Sequence, residues 1–112
     1  MPRTTNLSLL PLQLTDQVKS LGQRIRSARQ ARRLRLADVA EKTGLSRKTV
    51  EAVERGEPST SLGAYVAVLG CMSLCQELDL IADPGLDRDG LALRFSVAEK
   101  RVRLARKVDN DF

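Results

Sequence analysis

Histidine is absent from the 112-residue chain, which removes imidazole acid–base chemistry and the commonest metal ligand. Tryptophan is absent too, and aromatics make up only 3% of the residues, so aliphatic side chains must build the core. Cysteine is scarce: Cys71 and Cys75 stand alone, with no third cysteine or histidine to complete a zinc site. They are i, i+4 neighbours and read as buried free thiols of a reducing compartment. No apolar run approaches the roughly 20 residues of a membrane span. Leu7 to Leu14 is apolar but short, broken by Pro11, and lacks a small-residue cleavage site, so no signal peptide is expected. No serine or cysteine has a histidine partner, and no carboxylate pair lies in a recognisable catalytic motif. Neither an enzyme nor a cofactor is expected.

What is present is charge and aliphatic patterning. The apolar fraction is 42% and the formal net charge +5, which suits one small basic domain with a polyanionic partner. The most informative stretch is Leu34 to Gly56, LRLADVAEKTGLSRKTVEAVERG. Residues 37–41 are compatible with a helix, and Thr43-Gly44-Leu45-Ser46 interrupts it. Gly44 sits where a helix ends and the chain needs positive φ. Ser46 is placed to cap a second helix, Arg47 to Arg55, which Gly56 stops. Leu36, Val39, Ala40, Leu45, Val50 and Val53 put one face of each helix inward, and small Ala40 allows close approach. Two short helices with a tight turn are the logic of a helix-turn-helix.

The rest of the chain is placed around that stretch. Residues 1–14 form an arm, leucine-rich enough either to fold over a core edge or to pair with a second subunit. Thr15 is expected to cap a first helix to Arg33, with Val18, Leu21, Ile25 and Ala28 as its buried stripe. Its second half is crowded with Arg24, Arg26, Arg29, Arg32 and Arg33, followed by Arg35, either a solvated face or phosphate contacts. Pro58 marks a loop, and Ser61 caps a fourth helix with Leu62, Tyr65, Val66, Leu69 and Met72 on its apolar face. Ser73 is expected to begin a short fifth helix, with Leu74, Leu78 and Ile81 inward, ending near Asp83. The fold expected is all-α: a five-helix domain over residues 15–83, with an extension over 84–112. Leu91, Leu93, Phe95 and Val97 alternate, which predicts a short β-strand over 90–97, followed by a basic tail over 99–107.

Arg29, Leu34, Ala40, Gly44, Ser46, Thr49, Val50, Glu54, Arg55 and Gly56, with Ser61-Leu62 after them, resemble the Cro/C1-type (XRE family), lambda-repressor-like helix-turn-helix proteins. The likeness covers about residues 17–82. The chain also resembles the HipB-like antitoxins within that family, on Ser61-Leu62, Ala82-Asp83-Pro84, Gly90 to Leu93, and a basic tail ending in acidic residues and Phe112.

The resemblance implies that the second helix of the motif enters the major groove. Arg47, Lys48 and Ala52 then fall at base edges, where Arg and Lys suit the O6 and N7 acceptors of guanine. Ser46, Thr49 and Arg35 fall at phosphates, and Arg29 with Glu54 forms a structural pair. This chain departs from the family at Leu36, where Gln is usual, and at Arg35, where Ser or Thr usually caps. Glu51 on the recognition helix repels phosphate but can accept from cytosine N4. Candidate partner-binding residues are Leu91, Leu93, Phe95, Arg101, Arg103 and Phe112.

The implied function is a homodimeric, sequence-specific transcriptional repressor on double-stranded DNA with an inverted-repeat operator. More narrowly, it is an antitoxin that autoregulates its operon and binds a HipA-like serine/threonine kinase toxin. The expected location is the bacterial cytoplasm, at the nucleoid and not the membrane. The alternatives are a stand-alone or phage-type repressor, or an interaction module that no longer reads DNA sequence.

Overall fold

A computed structural model describes residues 7–110, without the side chains of Ser8 and of residues 108–110. Met1 to Asn6 and the terminal Asp111 and Phe112 lie outside the described residues, so the partner role expected for Phe112 is not addressed. The described residues are all-helical, with no strand among them, and divide into one unit ending at Cys75 and a second from Gln76.

The first unit holds α1 (Leu12–Ala31), α2 (Leu36–Thr43), α3 (Arg47–Arg55) and α4 (Leu62–Cys71). A 3₁₀ turn at Leu7–Leu9 precedes α1. α1 starts at Leu12, ahead of the expected Thr15. Pro11 begins it, its carbonyl accepting the Leu14 and Thr15 N–H groups, and its fixed φ suits a helix entry. Thr15 therefore sits inside the first turn, and its hydroxyl donates back to the Pro11 carbonyl at 3.4 Å instead of capping. Leu9 and Leu12 of the expected arm are exposed.

The core is aliphatic, as the scarcity of aromatics requires. Ile25 of α1, Val39 of α2, Val50 and Val53 of α3, and Val68 of α4 are each at most 1% exposed. Ala64, Tyr65 and Met72 complete the cluster, and Val18, Leu21, Ala28, Leu36, Ala40 and Leu45 pack against it half-buried. Leu62, expected on the inner face of α4, is 71% exposed. It is the residue directly after the Ser61 cap, and the inward stripe begins at Ala64.

α1 and the end of α3 meet backbone to backbone. A Cβ on the buried Gly22 would lie 2.5 Å from the Gly56 nitrogen and 2.6 Å from the Glu54 carbonyl oxygen. Gly56, at φ 68°, faces the Val18 and Lys19 backbone as closely. Only two glycines allow that approach.

Three helices of this unit end in the same way. After α1, Leu34 N–H bonds to Arg29 O and Arg33 N–H to Gln30 O. After α3, Glu57 N–H bonds to Ala52 O and Gly56 N–H to Val53 O. After α4, Leu74 N–H bonds to Leu69 O and Ser73 N–H to Gly70 O. Each is a Schellman arrangement with a left-handed residue just past the helix. Glycine fills that position once; Arg33 (φ 54°) and Ser73 (φ 59°) fill it otherwise. Ser73 thus terminates α4, and the helix expected from it does not form. Both thiols are free and half-buried, less enclosed than expected, with Cys71 Sγ donating to Val68 O and Cys75 Sγ to Val66 O.

The second unit has a 3₁₀ turn at Gln76–Leu80 and then α5 (Arg88–Asn110). Leu78 is half-buried, while Ile81, expected inward, is 71% exposed. Residues 90–97, expected as a strand, are the first turns of α5, and the basic segment 99–107 continues the same helix. Two causes favour helix here. Asp87 caps it, its carboxylate accepting the Gly90 N–H at 3.0 Å and its carbonyl the Leu91 N–H. Ala92, Ala98, Ala105 and the long Arg, Lys and Glu side chains are strong helix formers. The alternation at Leu91, Leu93, Phe95 and Val97 is two helical stripes seen together: Leu91, Phe95, Ala98 and Val102, and Leu93, Val97 and Leu104.

Candidate functional site

α3 is held firmly at one end and presented at the other. At its start Ser46 Oγ accepts the Thr49 N–H at 3.1 Å and lies 2.9 Å from Thr49 Oγ1. That mutual contact uses one of the two hydroxyl protons, and the other remains to donate. Val50 N–H is taken by the Ser46 carbonyl. The N–H groups of Arg47 and Lys48 have no protein acceptor among the described residues, as first-turn N–H groups of a helix generally do not. A positive helix end with free N–H groups and a hydroxyl is suited to an anion such as phosphate.

Arg47 and Lys48 are both exposed. Arg47 Nε lies 3.3 Å from Glu51 Oε1, one turn along, while no ion pair is formed by Lys48 among the described residues. Ala52, half-buried, floors a shallow groove between Lys48, Thr49, Arg55 and the loop residues Glu57, Thr60 and Ser61. Arg55 is paired with Glu57 at 3.1 Å.

The turn before α3 is fixed by short-range bonds. Gly44 takes φ 76°, and Thr43 Oγ1 donates to Val39 O at 2.7 Å while accepting the Leu45 N–H at 3.2 Å. Arg35 precedes α2, and its side chain is 84% exposed. A guanidinium cannot accept a capping bond, so the cap is reversed: Asp38 accepts the Arg35 N–H at 2.8 Å and the guanidinium at 3.4 Å. The Arg35 backbone N–H, helped by its guanidinium, lowers the Asp38 carboxyl below its ordinary range.

The far end of α3 is anchored inside the protein. Arg29 Nε and Nη2 reach Glu54 Oε2 and Oε1 at 2.6 and 3.0 Å, and Arg29 Nη1 donates to Leu34 O at 2.8 Å. Tyr65 Oη donates to Glu57 O at 2.9 Å, tying the loop after α3 to α4. Burial, with Glu57 adding to it, raises the Tyr65 hydroxyl above its usual value. A tyrosine inside an apolar stripe is the sequence signal for such a partner, because its hydroxyl must be satisfied.

The first unit thus brings Ser46, Arg47, Lys48, Thr49 and Ala52 together on α3 and its cap, with Arg35 at the head of α2. The other candidates, Leu91, Leu93, Phe95, Arg101 and Arg103, are exposed along α5 in the second unit. There Arg103 pairs with Glu99 at 2.8 Å. Among the described residues no cluster of metal-ligating side chains occurs, and no helix is long and apolar enough to cross a membrane.

A family model described as a helix-turn-helix domain matches residues 20–75, half of the chain. No curated protein matches the chain.

Proposed function

The chain belongs to the helix-turn-helix domain family, and from that premise we propose that it is a sequence-specific DNA-binding transcriptional repressor acting as a homodimer. The observation that carries the reading is the exposed start of α3, where Arg47 and Lys48 stand with the Ser46–Thr49 hydroxyl pair, their N–H groups without a protein acceptor among the described residues. In this reading Arg47 and Lys48 meet base edges with Ala52 a turn further on, and Ser46, Thr49 and Arg35 meet phosphates. Its role is binding, not catalysis, and its place is the bacterial cytoplasm at the DNA.

One recognition helix reads few base pairs, so two copies meet half-sites about 34 Å apart on an inverted repeat. The stripe Leu91, Phe95, Ala98 and Val102 of α5, spaced by four, three and four, suits self-pairing of two helices. The narrower reading is the antitoxin of a HipA-like serine/threonine kinase toxin. It rests on the resemblance to HipB-like proteins, and the second stripe, Leu93, Val97 and Leu104, is left to receive such a partner.

The test is binding to duplex DNA from immediately upstream of the chain's own gene, against a scrambled duplex, across a salt series. The native duplex should be preferred, and each phosphate contact should add about −0.9 to the slope of log affinity against log salt. Arg47→Ala should cost about 1–3 kcal/mol on the native duplex only. Phe95→Asp should weaken binding to the paired site more than to a single half-site. Equal, steeply salt-dependent binding to both duplexes would refute sequence reading and favour an interaction module, a reading that Leu36, Glu51 and Ala52 near the reading face already motivate.

A further inference from the structure

Glu51 is the one carboxylate on the outward side of α3 among the described residues, Glu54 being turned inward onto Arg29. An unpaired carboxylate there repels phosphate and loses its water as DNA closes on the helix, which is costly without a compensating cation. The compensating group is Arg47, whose Nε lies 3.3 Å from Glu51 Oε1. Glu51 also borders a cleft with Arg26 and Leu36. Leu36 offers no side-chain donor, and Arg47 supplies the hydrogen bond that Glu51 accepts among the described residues.

The geometry of the pair has a chemical consequence. A guanidinium presents its donors in a rigid planar fork. With the Nε edge occupied by Glu51, Nη1 and Nη2 remain, and this pair of donors matches the O6 and N7 acceptors of guanine. In water such an exposed i, i+4 pair is weak. In a groove emptied of water it strengthens, because the surrounding dielectric falls. Lys48, next in sequence and without such a partner, remains a mobile point charge.

We propose that Glu51 is a positioning residue for Arg47, holding its Nε edge so that the remaining fork faces guanine, and thereby sets base preference at the expense of general affinity. The inference rests on the DNA-reading function proposed above. Lys48 and Ala52, on the neighbouring column of α3, take no part in it.

The test is selection from a randomised duplex library with the full chain and with Glu51→Gln, Arg47→Ala and the double variant. Glu51→Gln keeps the shape of a half-buried side chain at the edge of the fold, so its fold should hold. The wild type should enrich guanine at one position of each half-site. Glu51→Gln should lose about tenfold of that preference, the order of one bidentate base contact, while binding scrambled duplex as tightly or more tightly. In the Arg47→Ala background the same change should leave base preference untouched. Guanine preference surviving in Glu51→Gln would overturn the positioning role while leaving DNA reading intact. An equal loss in both backgrounds would also overturn it, since Glu51 would then be contacting a base itself. A library from which the wild type enriches nothing would overturn both the positioning role and the reading beneath it.

Discussion

Replacing Glu54 by alanine tests the anchoring of α3 most directly. Glu54 and Arg29 have side-chain exposures of 7% and 11%, so the pair is almost wholly removed from water. The carboxylate accepts two guanidinium N–H groups, and the third guanidinium bond goes to Leu34 O. Glu54→Ala leaves that bond in place but strands the positive charge inside the protein. Breaking a buried pair by removing one partner costs about 3–5 kcal/mol. The retained Leu34 bond puts the expected loss at the lower end, about 3 kcal/mol. A unit of this size has a total stability of roughly 3–10 kcal/mol at 0.05–0.15 kcal/mol per residue. The variant should therefore be close to half-unfolded at the low end of that range. Urea denaturation followed by far-UV circular dichroism measures the loss. With a slope near 1 kcal/mol per molar for a small domain, the midpoint should fall by about 3 M. The melting temperature should drop by roughly 12–24 °C at 4–8 °C per kcal/mol. The loss should persist in 1 M salt, since buried pairs are poorly screened. Replacing both partners with hydrophobic residues of similar volume should recover much of it. A loss below about 1 kcal/mol for Glu54→Ala alone would mean the pair behaves as a surface ion pair, and the anchoring argument would fail.

Two glycine-related changes should move stability in opposite directions. Gly22→Ala places a methyl 2.5–2.7 Å from backbone atoms of Val53, Glu54 and Gly56. Backbone cannot swing aside, so the variant should lose at least about 1–3 kcal/mol in the same urea assay despite alanine's better helix propensity. Ser73→Gly removes a side chain from a left-handed residue at φ 59°, and should stabilise by up to about 1 kcal/mol; a loss of stability there would contradict the strain assigned to Ser73.

The parts of the fold that could be read in advance are those written in local chemistry. Gly44, Ser46, Gly56 and Ser61 each sit where a helix must start or stop, and one residue type does the work through its own backbone or hydroxyl. The inward positions of α2 and α3 follow from spacing alone. Ser73 reads as the start of a helix because serine is a good cap residue, yet here it takes the left-handed position that ends α4. Nothing in its side chain announces a left-handed backbone. Gly22 gave no signal either: a glycine inside a helical pattern looks like a weakness until the helix crossing it is known. α5 hides its helix for a third reason. Two interleaved helical stripes on one helix produce the same alternation as a strand, and only the Asp87 cap and the alanines distinguish them. In the candidate site, residue identities at α3 were legible, but the reversed cap at Arg35 and the Arg47–Glu51 pair depend on where side chains reach.

The distribution of buried bonds along α3 separates folding from recognition. The Arg29–Glu54 pair, the Gly22–Gly56 contact and the Tyr65 bond to Glu57 all gather at its C-terminal end. At the N-terminal end, Val50 is fully buried, and ahead of it the Ser46 cap and the Thr43 bonds fix the turn. Arg47 and Lys48 are exposed, so changing them removes charge from the surface without opening a cavity in the core. Such substitutions ordinarily stay within about 0.5 kcal/mol of wild-type stability. A helix clamped at one end can therefore vary the residues at its other end freely. That division lets a loss of DNA binding in Arg47→Ala be attributed to the interface and not to unfolding.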